Sequence, residues 1–209
     1  MSIYHWILLT GFGICFLLCL FQFFRIMLSG KPVDPAQPRG KVGPAIAYSF
    51  TGAMSPLKKE TAYLHLPTYT AGIIFHIGTF LSFFWLVLHF FNVHIILWLI
   101  YGSSIFLIAS SICGLSIFIK RILNPKLRNL SHPDDYFSNL LVTGFQTLSA
   151  ITLLWDRLIP SLFLYAGILF LYIPLGKLRH TVYFFTSRIH LGIFYGRRGV
   201  WPLKKQKRW

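Results

Sequence analysis

LPTYTAGIIFHIGTFLSFFWLVLHFFN, residues 66–92, contains no Lys, Arg, Asp or Glu. An α-helix crosses the hydrocarbon core of a bilayer with about 20 apolar residues, and this run is longer. Its apolar residues form a block; a water-facing helix would space them as a stripe. Strict alternation, the mark of a barrel strand of about 10 residues, is absent. The segment reads as a membrane-spanning helix with two histidines, His89 near its end and His76 about half-way along it.

Four more runs of the same kind lie outward from it, near 3–29, 95–119, 136–155 and 159–182. The first could be taken for a signal peptide. Its apolar run far exceeds the roughly 7–15 residues of such a segment, and it lacks both a basic start and an A-x-A site, so it reads as a retained first helix. Composition agrees, with 55% hydrophobic residues, 12% charged residues and a mean hydropathy of +0.62. A soluble domain would carry about twice that charged fraction. The sequence predicts an all-α integral membrane protein of five transmembrane helices, forming a single membrane domain over 1–209 with a loop at 30–61 and a tail at 183–209.

The net charge of +15 comes from 20 Lys and Arg against 5 Asp and Glu. In a soluble protein that balance would suggest nucleic acid, but in this chain it reports topology, because basic residues collect in cytoplasmic loops. The first loop side holds Arg25, Lys31, Arg39, Lys41, Lys58 and Lys59, and the third holds Lys120, Arg121, Lys126 and Arg128. The C-terminal region has Lys177, Arg179, Arg188, Arg197, Arg198, Lys204, Lys205, Lys207 and Arg208, which leaves only Arg157 for the opposite side. The N-terminus is thus expected outside and the C-terminus in the cytoplasm, across the cytoplasmic (inner) membrane, with no nucleic-acid partner. The same basic face suits an acidic protein or anionic membrane lipid equally. Cys15, Cys19 and Cys113 form no C-x-x-C pair and read as small packing residues.

Eight histidines are present. His5, His89, His94 and His132 fall at helix ends or in a loop, where a polar tip reaches water. His76 does not, and an ionisable group at that depth needs a partner. His65 precedes it by eleven residues, about three helical turns or roughly 16 Å on nearly the same face. The fifth run offers His180 and, ten residues later, His190. If that helix runs antiparallel to the second, His76 faces His180 and His65 faces His190, two imidazole pairs of the kind that six-coordinate haem requires. Gly72 and Gly78 lie near the His76 level and suit either room for a porphyrin or close helix packing. The histidines lie too far apart along each helix to converge on one copper or zinc ion. Asp134 and Asp135, after Pro133, read as a helix N-terminal cap.

Three stretches carry a resemblance. Phe75-His76-Ile77-Gly78, Lys120 to Arg128 and Ile173-Pro174-Leu175-Gly176-Lys177-Leu178-Arg179-His180 resemble the gamma subunit of respiratory nitrate reductase. Pro133 to Thr143 looks closer to cytochromes of heterodisulfide-reductase and sulfite-reduction-associated membrane complexes. The likeness covers the second to fifth runs, about two thirds of the chain. It implies two b haems between the second and fifth helices, a quinone pool as redox partner and a cytoplasmic iron–sulfur subunit as electron partner. His76 and His180 match the family motifs, His65 matches by spacing, and His190 departs in its distance from its predecessor. Candidate quinone contacts are His94, Tyr101 and Gln146, each equally readable as an interfacial or packing residue. The expected function is that of a membrane cytochrome b subunit, with quinol oxidation and quinone reduction both compatible. The rival reading is a small transporter or channel in which His76 relays protons.

Overall fold

The computed structural model describes residues 2–29, 35–55, 66–93 and 95–203. Among them there is helix and no strand. The α-helices are α1 (Ile3–Leu28), α2 (Val42–Phe50), α3 (Leu66–Phe90), α4 (Leu97–Leu123), α5 (Pro125–Asn129), α6 (Pro133–Thr152), α7 (Ile159–Tyr172) and α8 (His180–Arg197). The described residues of 1–18 and 66–178 form one compact unit and those of 19–65 and 179–209 a second. α1 begins in the first and ends in the second.

In the first unit the usual rule of burial is inverted. Ser82, Ser104, Ser110, Ser111, Ser138, Thr143, Gln146, Ser149 and Thr152 are buried. Ile73, Ile77, Phe80 and Phe84 of α3 face outward, as do Ile105, Ile108, Ile112 and Leu115 of α4. An apolar exterior over an interior of small hydroxyls is what lipid as solvent selects, because helices there gain by close packing and internal hydrogen bonds. By length and composition, α1, α3 and α4 can each cross a membrane, and Asp156–Tyr172 with Lys177–Arg197 adds a fourth crossing if that broken pair is one span. α6 is not among these, because Asp134, Asp135, Asn139, Gln146 and its Ser and Thr residues make its composition too polar.

The core of this unit is set by α6 and α7. Phe145, Leu162, Phe163, Ala166 and Leu169 are almost wholly enclosed, with Leu8 of α1 and Leu86 of α3 packed on them. α1 reaches α7 through two glycines. A Cβ built on Gly11 would lie 2.8 Å from Gly167 O, so the helices touch backbone to backbone. α3 ends on Asn92, whose φ of 50° is left-handed. Val93 N then donates to Leu88 O and Asn92 N to His89 O, the pattern that closes a helix with Asn past its end.

The fifth run, expected as a span over 159–182, is not one continuous helix: it breaks after Tyr172, and the two pieces are bent by 70°. Pro174 has no N–H to donate to Phe170 O, and its ring crowds that carbonyl. α7 therefore stops at Tyr172, and Leu175 N and Gly176 N both turn back to Tyr172 O, at 3.0 and 2.9 Å. The turn is tied down from α6, because Lys177 Nζ pairs with Asp135 and Tyr172 OH donates to Asp134.

In the second unit α2 packs on α8. Ser49 Oγ donates to Arg188 O at 2.8 Å, and Arg39 N donates to Arg197 O at 2.8 Å. Gly192 and Gly196 give α2 its approach, since a Cβ on Gly192 would lie 2.5 Å from Ile46 Cα. The region expected as a loop thus holds a helix, and the region expected as a tail is largely α8.

Candidate functional site

His76 is held by its own helix. Its Nδ1 lies 2.7 Å from Gly72 O, one turn earlier. A carbonyl only accepts, so Nδ1 carries the proton and Nε2 is the basic nitrogen. Nε2 makes no hydrogen bond among the described residues, and the ring is exposed on the flank of α3. A ligating histidine typically anchors its other ring N–H on a backbone carbonyl in this way, which fixes tautomer and orientation together.

The two glycines beside it part company. A Cβ on Gly72 would meet nothing within 4 Å, whereas one on Gly78 would overlap the Ser110 side chain. Gly78 therefore serves helix packing, and Gly72 leaves room next to His76. Room and an oriented nitrogen fall on one face of α3.

His180 and His190 lie in the second unit, both on α8, with His180 opening the helix. Ten residues of α-helix separate them by about 15 Å along the axis and roughly 80° around it. Neither is among the buried residues of α8, which are Val182, Thr186, Gly192 and Gly196, the two glycines lying against α2. The helix that carries them is separate from α7, which changes the expectation of one continuous fifth helix. His65 and His94 lie outside the described residues.

Of the candidate quinone contacts, Tyr101 is exposed on α4. Gln146 is wholly buried, and its amide is spent on the bundle. Nε2 donates to Phe75 O and Thr79 Oγ1, both at 2.8 Å, and Oε1 accepts from Ser110 Oγ at 2.8 Å. Ser110 Oγ also lies 3.1 Å from Ile74 O, so one hydroxyl proton serves two acceptors. Gln146 is a clasp that joins α3, α4 and α6.

A second polar centre was only half visible in the sequence. Asp135 caps α6 by accepting from His132 N at 2.9 Å. The same carboxylate, almost fully buried, stands 3.3 Å from Arg121 Nη1 and pairs with Lys177. The cap was legible from Pro133-Asp134-Asp135, but the two cations were not. A lone buried carboxylate in a chain with 5 acidic residues is the signal that could have found them. Among the described residues no group of three or more His, Cys, Asp and Glu is placed to hold a metal ion.

A wholly helical fold with apolar outer faces and three to four bilayer-length segments defines a multi-pass helical membrane protein. Compared with family models, with curated proteins and with solved structures, the chain matches none of them.

Proposed function

We propose that this chain is a membrane cytochrome b subunit that passes electrons between the quinone pool and an iron–sulfur partner on the cytoplasmic side of the inner membrane. The observation that carries the reading is His76: its Nδ1 is fixed on Gly72 O at 2.7 Å, its ring is exposed on α3, and a Cβ on Gly72 one turn away would meet nothing within 4 Å. In this reading α6 also crosses the membrane, its polar residues turned inward and shielded by α3, α4 and α7. The broken fifth run completes five crossings, with the N-terminus outside and the basic loops and C-terminus inside.

The residue types are those that the group requires. A b haem supplies one-electron chemistry at an iron that accepts two imidazole nitrogens. His76 offers an oriented imidazole; His180 and His190 are both on α8, outside its set of buried residues. His65 completes the expected set of four. The basic residues Lys120, Arg121, Lys126 and Arg128 at the end of α4 suit an acidic partner surface.

The test is the visible spectrum of the detergent-purified chain, reduced minus oxidised, with haem quantified per chain. Two b haems are expected. His76→Ala should remove one, and His190→Ala should remove one without touching the signal lost in His76→Ala. One haem unaffected by His190→Ala keeps the cytochrome and removes the second site. A colourless protein from haem-replete cells overturns the reading and brings forward the transporter in which His76 relays protons.

A further inference from the structure

The end of α4 makes an elbow. Pro125 disfavours helical geometry at the residue before it, and Asn124 stands in the extended region at φ −87° and ψ 112°. Its Oδ1 accepts from Lys126 N at 3.0 Å, which caps α5 as a separate helix. At this break lies an open hollow of about 930 Å³. Ser116, Ile119, Lys120 and Leu123 of α4 line it together with Pro125 and Lys126 of α5.

Two of those six residues are cations. Lys120 Nζ donates to Thr68 Oγ1 in the first turn of α3, which positions the ammonium and leaves two of its three protons for another acceptor. Lys126 is exposed in the first turn of α5. Among the described residues neither lysine forms an ion pair, whereas Arg121, next to Lys120 in the chain, is taken by Asp135. Like charges lining one hollow repel, so an anion between them lowers the energy of both.

The hollow is also the end of an apolar track. Ile105, Ile108, Ile112, Ile119 and Leu123 are all exposed, and their spacing in threes, fours and a seven keeps them on one face of α4. From Ile112 to Leu123 the helix rises about 16 Å, close to half of a bilayer core about 30 Å thick. One leaflet's depth of apolar surface therefore leads into two unpaired ammonium groups.

We propose that the elbow of α4 and α5 is a binding site for an anionic phospholipid, its phosphate between Lys120 and Lys126 and one acyl chain along Leu123, Ile119 and Ile112. An acidic protein would suit the charge and leave the track unused. A zwitterionic lipid would suit the track and bring a cation of its own toward the lysines. In this use Lys120 and Lys126 belong to lipid, and Arg128 and the cations of α8 are left for a protein partner. The inference is independent of the cytochrome reading, since none of the candidate haem ligands lines the hollow.

The experiment titrates the full chain, purified in detergent and freed of lipid, with palmitoyl-oleoyl phosphatidylglycerol, and counts bound lipid by native mass spectrometry. The phosphatidylcholine with the same chains should bind at least about tenfold more weakly. Equal affinities overturn the proposal without any variant. Lys126→Ala should weaken phosphatidylglycerol about fivefold, and Lys120→Ala combined with it about twenty-five-fold. Arg128→Ala removes the same charge from α5 outside the hollow and should leave the affinity within about twofold of the parent. A loss in Arg128→Ala as large as in Lys126→Ala would mean a diffuse basic surface and overturn the site. Glycerol phosphate should bind at least about tenfold more weakly than the lipid, because buried methylenes supply affinity; equal binding would make this an anion site without a lipid. A poly-glutamate peptide that binds more tightly than phosphatidylglycerol, and loses that affinity in Lys126→Ala, would give the hollow to an acidic protein instead.

Discussion

Arg121 Nη1 stands 3.3 Å from Asp135 Oδ1, which ties the last turn of α4 to the first turn of α6. The same oxygen receives Lys177, so one buried carboxylate holds three chain segments, and two are cations otherwise read only as topological markers.

Asp135→Ala should therefore be among the costliest single substitutions. It removes a cap worth about 1 kcal/mol and strands two partly exposed cations, for a total of about 3 kcal/mol. Asp135→Asn keeps an acceptor for His132 N and should cost about 1 kcal/mol less. Lys177→Ala should cost no more than about 1 kcal/mol, because Lys177 is half exposed and an open pair is worth little. Thermal melts of the three variants in one detergent check the order. Equal melting temperatures for Asp135→Ala and the parent would remove Asp135 from the fold's supports.

Gln146 offers a test of clasp against quinone contact. Its partners keep other bonds when it is lost: Thr79 Oγ1 still donates to Phe75 O and Ser110 Oγ to Ile74 O. Gln146→Leu should then destabilise by only about 1–2 kcal/mol, the usual worth of an interhelical hydrogen-bond set. Quinone-linked turnover, corrected for folded protein, should stay at the parent value. A drop of tenfold in that corrected turnover would put the amide in contact with substrate instead.

Two glycines of α1, two residues apart, should respond oppositely. Gly11→Ala drives a methyl into Gly167 O at 2.8 Å, and backbone cannot step aside as a flexible side chain can. A loss of about 1–3 kcal/mol is expected, as for overpacking elsewhere. Gly13→Ala meets nothing within 4 Å and should be neutral or stabilising by up to about 1 kcal/mol through helix propensity. Paired melts decide it; matching losses would mean that α1 does not touch α7 through Gly11.

The second unit should come apart by itself. Gly192→Leu places a side chain where Ile46 Cα lies within 2.5 Å, so α2 should leave α8. Trypsin should then cut after Arg188 at least about tenfold faster than in the parent, because proteolysis follows local opening. α3 and α4 should stay intact in the same digest. Unchanged cleavage at Arg188 would show that α2 is held by something other than this close approach.

How far residues could be read depended on what each one signals locally. His76 was legible because an imidazole inside an apolar run is rare whatever surrounds it. Gln146 could be read as a quinone contact or as a packing residue, and its three partners, on two other helices, are visible only in the fold. Pro174 and Gly176 are strong breaking signals, yet the apolar residues on both sides kept 159–182 looking like one span.

The amino-acid sequence by itself determined the class of protein: blocks of apolar residues without charge exclude a water-facing fold, and their lengths specify helices suited to a bilayer. It also determined which side chains are chemically conspicuous, because residue type and depth within a run need only near neighbours to be read. Tertiary structure alone decided how those side chains are used. Gln146 closes on Phe75, Thr79 and Ser110, and Asp135 gathers Arg121 and Lys177. The physical reason is distance. Helical periodicity reports contacts within a turn or two, whereas hydrogen bonds and ion pairs between helices depend on how whole faces meet.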